Sequence, residues 1–275
     1  MNIALITGAS SGLGREFLKQ LAERDLKNRI RNQKRKEMGL EPDQQLIDQF
    51  WVVARRKERL EELQELTDIP VVPFPLDLKE KESALKLKEA MEKENPTILY
   101  LICAAGFGRI GPATSIPIED NDGMIDVNCR AAVDVTTVSF PYLQKGSKVI
   151  QICSTAGFQA MPNLAVYSAS KSFLITYTKT LHHELLTKGI HVTAVCPYWI
   201  KDTEFIGNAE KTDSKGYNHY LFASKARNVV SWALFDSKIN MWVSTPGPVC
   251  MVHRVFAKFV PHFVMTPLME LVRRV

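Results

Sequence analysis

Tyr167 and Lys171 stand four residues apart in "VYSASKSF", with only Ser168, Ala169 and Ser170 between them. On a helix, positions i and i+4 share one face, so the phenol and the ammonium would be neighbours. A phenol titrates near ~10, too high for proton transfer at neutral pH. A cation ~4 Å away favours the phenolate by ~4 kcal/mol at an effective dielectric of ~20. That brings the phenol near ~7, where general acid–base work is efficient. A surface Tyr beside a solvated Lys would give the same two letters, so the rest of the chain must decide.

A second stretch carries chemistry of another kind. "TGASSGLG", Thr7 to Gly14, follows the apolar run "NIALIT" and opens a helical pattern. Gly8, Ser10, Ser11, Gly12, Leu13 and Gly14 make a turn in which missing side chains let backbone approach a pyrophosphate. The helix behind it offers free N–H groups and the positive end of its dipole. The spacing is G-x-x-x-G-x-G rather than G-x-G-x-x-G. In this context it predicts nucleotide binding.

The elements that must position these groups are legible from periodicity. Short apolar runs at 2–7, 50–54, 71–75, 97–103, 147–153, 190–196 and 239–244 are rich in β-branched residues and mostly lack period-2 alternation. They read as strands buried on both faces. Helical patterns lie between them, at roughly 12–23, 56–67, 79–94, 119–145, 167–188 and 224–235. This alternation predicts an α/β fold with a doubly wound parallel sheet of the Rossmann kind, seven strands in a single domain over 1–244. Pro73 and Pro75 place the third strand at an edge. Three segments fall outside the alternation. Residues 24–49 are an insertion before the second strand, with a short helix expected in "PDQQLIDQF". Residues 197–223 form a polar and aromatic lid. Residues 245–275 are an apolar, helical C-terminal extension.

The end of the second strand bears on the cofactor. In such folds it faces the adenosine ribose, where an acid accepts the 2′-OH and an Arg accommodates a 2′-phosphate. Here Arg55 and Arg56 follow Ala54 with no acid at the turn, Arg55 being the first choice and Arg15 adding to the field. The expected cofactor is NADP(H).

With these motifs in hand, the chain resembles the short-chain dehydrogenase/reductase family over nearly all of residues 1–244. The resemblance rests on "TGASSGLG" combined with "YSASK". It implies a ketone/alcohol oxidoreductase. Tyr167 is then the proton donor or acceptor. Lys171 lowers its pKa and binds the nicotinamide ribose, and Ser154 in "ICSTAGF" polarises the substrate oxygen. Asn128 in "DVNCRAA" matches the asparagine that holds a relay water. Asp77 and Leu78 in "PLDL" match the adenine contact, and Ala104, Ala105 and Gly106 in "CAAG" flank the cofactor. Pro197, Ile200 and Thr203 in "CPYWIKDT" stand for the segment covering the nicotinamide. The chain departs from the family pattern in three places. Cys103 replaces a bracing asparagine, Tyr198 replaces the glycine after Pro197, and Thr203 comes one residue late.

Composition limits the alternatives. A 45% hydrophobic, 24% charged chain of 275 residues is an ordinary globular protein. There is no apolar run of 18 residues and no signal-peptide pattern. The five cysteines, Cys103, Cys129, Cys153, Cys196 and Cys250, form no C-x-x-C, which fits a reducing, cytoplasmic setting and small apolar packing rather than a metal site. Six basic residues fall within 27–36, and removing them from the net +5 leaves −1. The run contains no aromatic residue for base stacking, so nucleic acid is not an expected partner. "LHHEL" reads as a surface helix. In the tail, Val252, Val255, Phe256, Phe259, Val260, Phe263 and Val264 recur at helical intervals, with Pro261 and Pro267 expected to break it. It packs on its own domain, on a second subunit of a homo-oligomer, or peripherally on a membrane. The lid residues Tyr198, Trp199, Ile200, Phe205 and Phe222 imply an apolar, lipid- or steroid-like carbonyl substrate. The rival expectation is a non-catalytic NADP(H)-binding sensor.

Overall fold

A computed structural model describes residues 1–213, 220 and 222–274, with side chains through residue 271. Positions 214–219 and 221 of the expected lid, and Val275 of the tail, lie outside the described residues. The chain opens with β1 (Asn2–Thr7) and α1 (Gly12–Glu37), then β2 (Gln49–Ala54) and α2 (Lys57–Glu61). Next come β3 (Val71–Pro75), α3 (Glu82–Glu94), β4 (Thr97–Cys103) and α4 (Ile118–Ile125). A five-residue π-turn, Asp126–Arg130, joins α4 to α5 (Ala131–Ser139). β5 (Leu143–Ile152), α6 (Ala165–Leu186), β6 (His191–Val195), α7 (Phe205–Ala209), α8 (Ala226–Lys238) and β7 (Val243–Ser244) follow. The chain closes with α9 (Pro248–Phe259) and α10 (His262–Arg274).

The seven strands form one parallel sheet in the order β3-β2-β1-β4-β5-β6-β7, with β3 at the edge as its prolines require. Helices cover both faces. Phe17, Leu18 and Leu21 of α1 meet Val229, Val230 and Ala233 of α8 in one core. Leu87 and Met91 of α3 meet Val135 of α5 and Leu181 and Leu185 of α6 in the other. The register brings the carboxyl ends of the central strands level. Thr7 lies opposite both Val53 and Cys103, Cys103 opposite Gln151, and Ile152 opposite Val195. Everything the chain places just beyond these residues therefore gathers at one edge of the sheet.

The structure corrects several expected boundaries. Helix α1 does not stop at 23 but runs on to Glu37. Lys, Arg, Gln and Glu are good helix formers, and Lys34, Arg35 and Lys36 complement the negative end of the helix dipole. No helix forms at 42–50, because the returning chain is strapped in extended form along α1. Asp25 accepts the Ile47 N–H at 2.8 Å and the Arg29 Nε–H at 2.6 Å, while Arg29 Nη2 donates to the Ile47 carbonyl at 2.6 Å. Asn32 accepts from the N–H groups of Asp43 and Gln44 and donates to the Gln44 carbonyl. Strand β7 keeps only two residues, and β5 starts four residues before the expected strand. Pro261 separates α9 from α10, but Pro267 sits inside α10, where its missing N–H forfeits a single bond near the helix start. Phe222 is turned outward, 78% exposed at φ 64°, and does not join the lid's apolar face.

The bracing cysteine behaves as a small core residue. Cys103 Sγ lies 3.8 Å from Thr136 Oγ1, which also accepts from Gln151 Nε2 at 2.8 Å. Burial pushes this thiol up to about 12. Among the described residues no helix is long and apolar enough to cross a membrane, and no group of acidic, His and Cys side chains forms a metal site. The outer faces of α9 and α10 nevertheless expose Phe256, Phe259 and Phe263.

The strap on α1 is testable. Asp25 is buried and bonds both a backbone N–H and a guanidinium. Asp25→Ala leaves the buried Ile47 N–H unpaired, at a cost of about 1–3 kcal/mol, while the half-exposed Arg29 turns to water. For a domain of this size each kcal/mol lowers Tm by roughly 2–4 °C. Thermal unfolding should therefore show a fall of several degrees, and an unchanged Tm would mean that 38–48 adds nothing to stability.

Candidate active site

The glycine loop is built by close backbone contacts. A Cβ on Gly14 would stand 2.4 Å from the Gly8 carbonyl oxygen, and one on Gly8 2.7 Å from the Ala105 nitrogen. Gly8 and Gly12 both have positive φ, 68° and 52°. Any side chain here would push the loop off the strand ends. Ser11 caps α1 in extended conformation, yet its side chain makes no capping bond. The first N–H groups of α1 thus stay available to an anion.

A cleft of ≈ 600 Å³ runs along the carboxyl edge from this loop to the far side of the sheet. Its walls hold Gly8, Ser10, Ser11, Gly12, Leu13 and Gly14 at one end, with Arg55, Arg56, Asp77 and Leu78 beside them. Ala104, Ala105 and Gly106 line the middle, and Ser154, Tyr167, Lys171, Pro197, Ile200 and Thr203 the other end. Of the catalytic and cofactor residues expected from sequence, Asn128 and Arg15 do not line this cleft, and neither does Phe222 of the lid.

Asn128 is fully buried behind the wall. Its Oδ1 accepts from the Phe107 N–H at 3.0 Å, and its Nδ2 donates to the Phe107 carbonyl at 2.9 Å and to Ser170 Oγ at 3.1 Å. It therefore ties the chain after β4 to helix α6. The π-turn at Asp126–Arg130 sets this side chain facing inward; such turns recur at functional sites. Gly106 makes the approach feasible, since a Cβ there would lie 2.9 Å from Asn128 Oδ1 and 3.3 Å from Lys171 Nζ. Lys171 Nζ donates to the Ile152 carbonyl at 2.8 Å, which fixes it at the end of β5.

The electrostatics differ from the simple cation–phenol expectation. Lys171 Nζ stands 5.7 Å from the centre of the Tyr167 ring. Tyr167 is buried, and burial drives its pKa well above the ordinary value of a phenol; the Ser154 hydroxyl opposes that shift without reversing it. Burial also lowers the pKa of Lys171. Desolvation outweighs the charge interaction here and favours the neutral form of each group. The phenol is held protonated at neutral pH. Ser154 caps the following 3₁₀ turn by accepting the Ala156 N–H at 3.1 Å, which orients its hydroxyl.

Beyond Tyr167 the cleft turns apolar. Ile110, Met161, Leu164, Trp199 and Tyr167 form one cluster, with Phe107, Tyr198, Phe205 and Met269 packed against it. The Phe205 ring lies 5.5 Å from that of Tyr167 and 6.3 Å from that of Trp199. Arg109 pins the lid to the opposite wall, its Nε on Asp120 at 2.8 Å and its Nη1 on the Asn208 carbonyl at 2.7 Å.

At the end of the cleft beside Arg55 and Arg56 the sequence reading missed two residues, Arg59 and Glu204. Arg56, not Arg55, makes the polar contacts: its Nη2 reaches Ser10 Oγ at 3.3 Å and Glu204 Oε2 at 3.1 Å. Arg59, one turn further on, bonds Glu204 Oε1 at 2.5 Å. Its spacing from Arg55 and Arg56 on a helical start was the available signal. Glu204 approaches from the lid, which no local pattern reveals. Arg15 and Arg59 share a smaller cleft beside Ser10 and Gly12.

Comparison with known proteins adds the family. Residues 43–214, more than half of the chain, match the short chain dehydrogenase family. An uncharacterized oxidoreductase of Myxococcus xanthus is 30% identical over 206 residues, 72% of each chain. The very-long-chain 3-oxoacyl-CoA reductase of Bos taurus is 24% identical over 270 residues, 87% of this chain and 78% of its own. The structure of a short-chain dehydrogenase from Sphingobium yanoikuyae in complex with NADPH superposes with TM-score 0.74 at 24% identity, covering 98% of this chain and 95% of its own. That last likeness establishes the shared fold. The chain belongs to the short chain dehydrogenase family, and it is an oxidoreductase acting on carbonyl and alcohol groups.

Proposed function

We propose that this protein catalyses NADP(H)-dependent interconversion of a ketone and a secondary alcohol on a bulky apolar substrate. The observation that carries the reading is the buried Tyr167 phenol, partnered by Ser154, in a cleft whose far end is the uncapped start of α1. The cleft fits the cofactor: the loop backbone leaves no room for side chains, α1 offers free N–H groups, and Arg56 and Arg59 supply cations at the adenosine end. A complex of a protein with the same fold with NADPH supports this choice.

When bound, NADP(H) supplies or accepts the hydride; the protein supplies position and field. Gly8, Ser10, Ser11, Gly12, Leu13 and Gly14 would hold the diphosphate, and Asp77 and Leu78 would meet the adenine. Ala104, Ala105, Gly106, Pro197, Ile200 and Thr203 would contact the rest of the dinucleotide, and Lys171 would bind the nicotinamide ribose. In reduction, Tyr167 Oη donates its proton to the substrate oxygen as charge develops there. Ser154 Oγ–H donates a hydrogen bond to the same oxygen. Burial keeps the phenol protonated but makes the phenolate left after donation costly, and the Ser154 hydroxyl, which opposes that shift, stabilises it. Asn128, tied to Phe107 and Ser170, holds the chain after β4 against α6 and, as the resemblance implies, would seat the water that resupplies the proton.

The substrate side is apolar, walled by Phe107, Met161, Leu164, Trp199 and Phe205. Met269 of α10 packs on that cluster, which supports the tail as part of the substrate wall. The bovine relative, named for a carbonyl on a very long chain, supports a bulky apolar substrate as well.

A panel of ketones graded in size, followed by NADPH absorbance, tests the reading. Large apolar ketones should give the higher kcat/KM, and turnover of small polar ketones alone would contradict it. Tyr167→Phe should lower kcat by roughly 10²–10⁴-fold, the range of general acid–base catalysis. Its NADPH affinity should stay within about threefold of wild type, and retention of a tenth of the activity would remove Tyr167 from the donor role.

Arg59→Ala tests the cofactor. Losing one charge-assisted bond of ~1.5–3 kcal/mol to the 2′-phosphate should weaken NADPH by roughly 10- to 150-fold. NADH, which lacks that phosphate, should bind as before. Equal losses for both cofactors, read by fluorescence titration, would place Arg59 elsewhere than at the phosphate.

A further inference from the structure

The Glu204 carboxylate engages the very cations that a 2′-phosphate needs. One oxygen stands 3.1 Å from Arg56 Nη2 and the other 2.5 Å from Arg59 Nη1. Arg56 Nη2 also reaches Ser10 Oγ, so the bridge closes over the glycine loop. Hydrogen bonds from Arg59 and then Arg56 hold the Glu204 carboxyl below the ordinary carboxylate range. All three side chains are about two-fifths exposed, so the bridge is open to competition from solvent. A phosphate monoester carries ≈ −1.5 to −2 charge and three acceptor oxygens, against one charge and two oxygens for the carboxylate. Two anions on the same two guanidiniums would repel each other.

Glu204 is also part of the lid. It directly precedes α7, and its neighbour Thr203 lies over the loop, 3.5 Å from where a Cβ on Gly12 would stand. Phe205, the next residue, packs on the rings of Tyr167 and Trp199. A movement of the Glu204 backbone is therefore felt at the substrate end of the cleft.

We propose that Glu204 is an internal competitor for the cofactor's 2′-phosphate: it sets the preference between phosphorylated and unphosphorylated dinucleotides and couples phosphate binding to the lid. This rests on the NADP(H) reading above. The phosphate takes Arg56 and Arg59 only as the carboxylate leaves them. A dinucleotide without the phosphate leaves the bridge intact. Glu204 therefore lowers affinity for the phosphorylated cofactor alone.

The test uses the full chain and two probes, 2′,5′-ADP and 5′-AMP, which differ by the phosphate in question. Dissociation constants are measured by calorimetry for wild type, Glu204→Gln and Arg59→Ala. Glu204→Gln keeps the side-chain shape and removes the charge. It should bind 2′,5′-ADP about tenfold more tightly, equivalent to removing a competing charge-assisted bond. Its 5′-AMP affinity should stay within about twofold. In wild type, 2′,5′-ADP but not 5′-AMP should change the tryptophan emission, and Trp199→Phe should abolish that change. Unchanged or weaker 2′,5′-ADP binding by Glu204→Gln overturns the competition. If that happens while Arg59→Ala still weakens 2′,5′-ADP, the NADP(H) reading stands and Glu204 alone is wrongly assigned. If Arg59→Ala leaves 2′,5′-ADP binding untouched, both ideas fall together.

Discussion

Asn128 is fully buried, and its amide is spent on Phe107 and Ser170, bonding both the N–H and the C=O of Phe107. Those bonds join two elements that the sheet itself does not join: the chain leaving β4, and helix α6. Lys171 and Tyr167 ride on α6, and Gly106 rides on the β4 chain. This amide, with the Lys171 bond to the Ile152 carbonyl, thus sets where the chain after β4 stands relative to Tyr167. Leaving such a group unpaired in a dry interior costs about 1–3 kcal/mol, so the arrangement is self-enforcing. The π-turn is the local cost of presenting Asn128 in the right direction.

Burial dominates the chemistry of this site more than charge does. A surface Tyr–Lys pair would have pulled the phenol down. Here the same pair sits in a desolvated pocket, with Lys171 fastened to the Ile152 carbonyl, and the phenol is pushed up instead. The neutral phenol is the form that can give a proton. An apolar cluster of Ile110, Met161, Leu164 and Trp199 packs around it.

Much of this was legible in the sequence because it is encoded locally. Buried strands announce themselves as β-branched runs, the loop at Gly8–Gly14 by its glycines, and Tyr167 with Lys171 by helical spacing. Parallel pairing then places the strand ends level, so residues far apart in sequence meet at one edge. What escaped is of two kinds. The polar stretch 24–37 carries strong helix formers without apolar periodicity, so a pattern search reads it as loop although the backbone prefers helix. The Arg59–Glu204 bridge spans 145 residues and depends on where the lid settles, which no local signal fixes. Asn128 was picked out by its motif, but its bonding to Phe107 and Ser170 appears only in the fold.

Whether Ser154 and Tyr167 serve one substrate oxygen is decided most directly by a double-mutant cycle on kcat, with Ser154→Ala, Tyr167→Phe and the pair. Groups that act as a unit on one atom lose their effect together. If each single change costs roughly 10³-fold, the double variant should fall no more than about tenfold below the weaker single. Losses that multiply to roughly 10⁶-fold would mean that the two hydroxyls act independently, contradicting a shared oxygen.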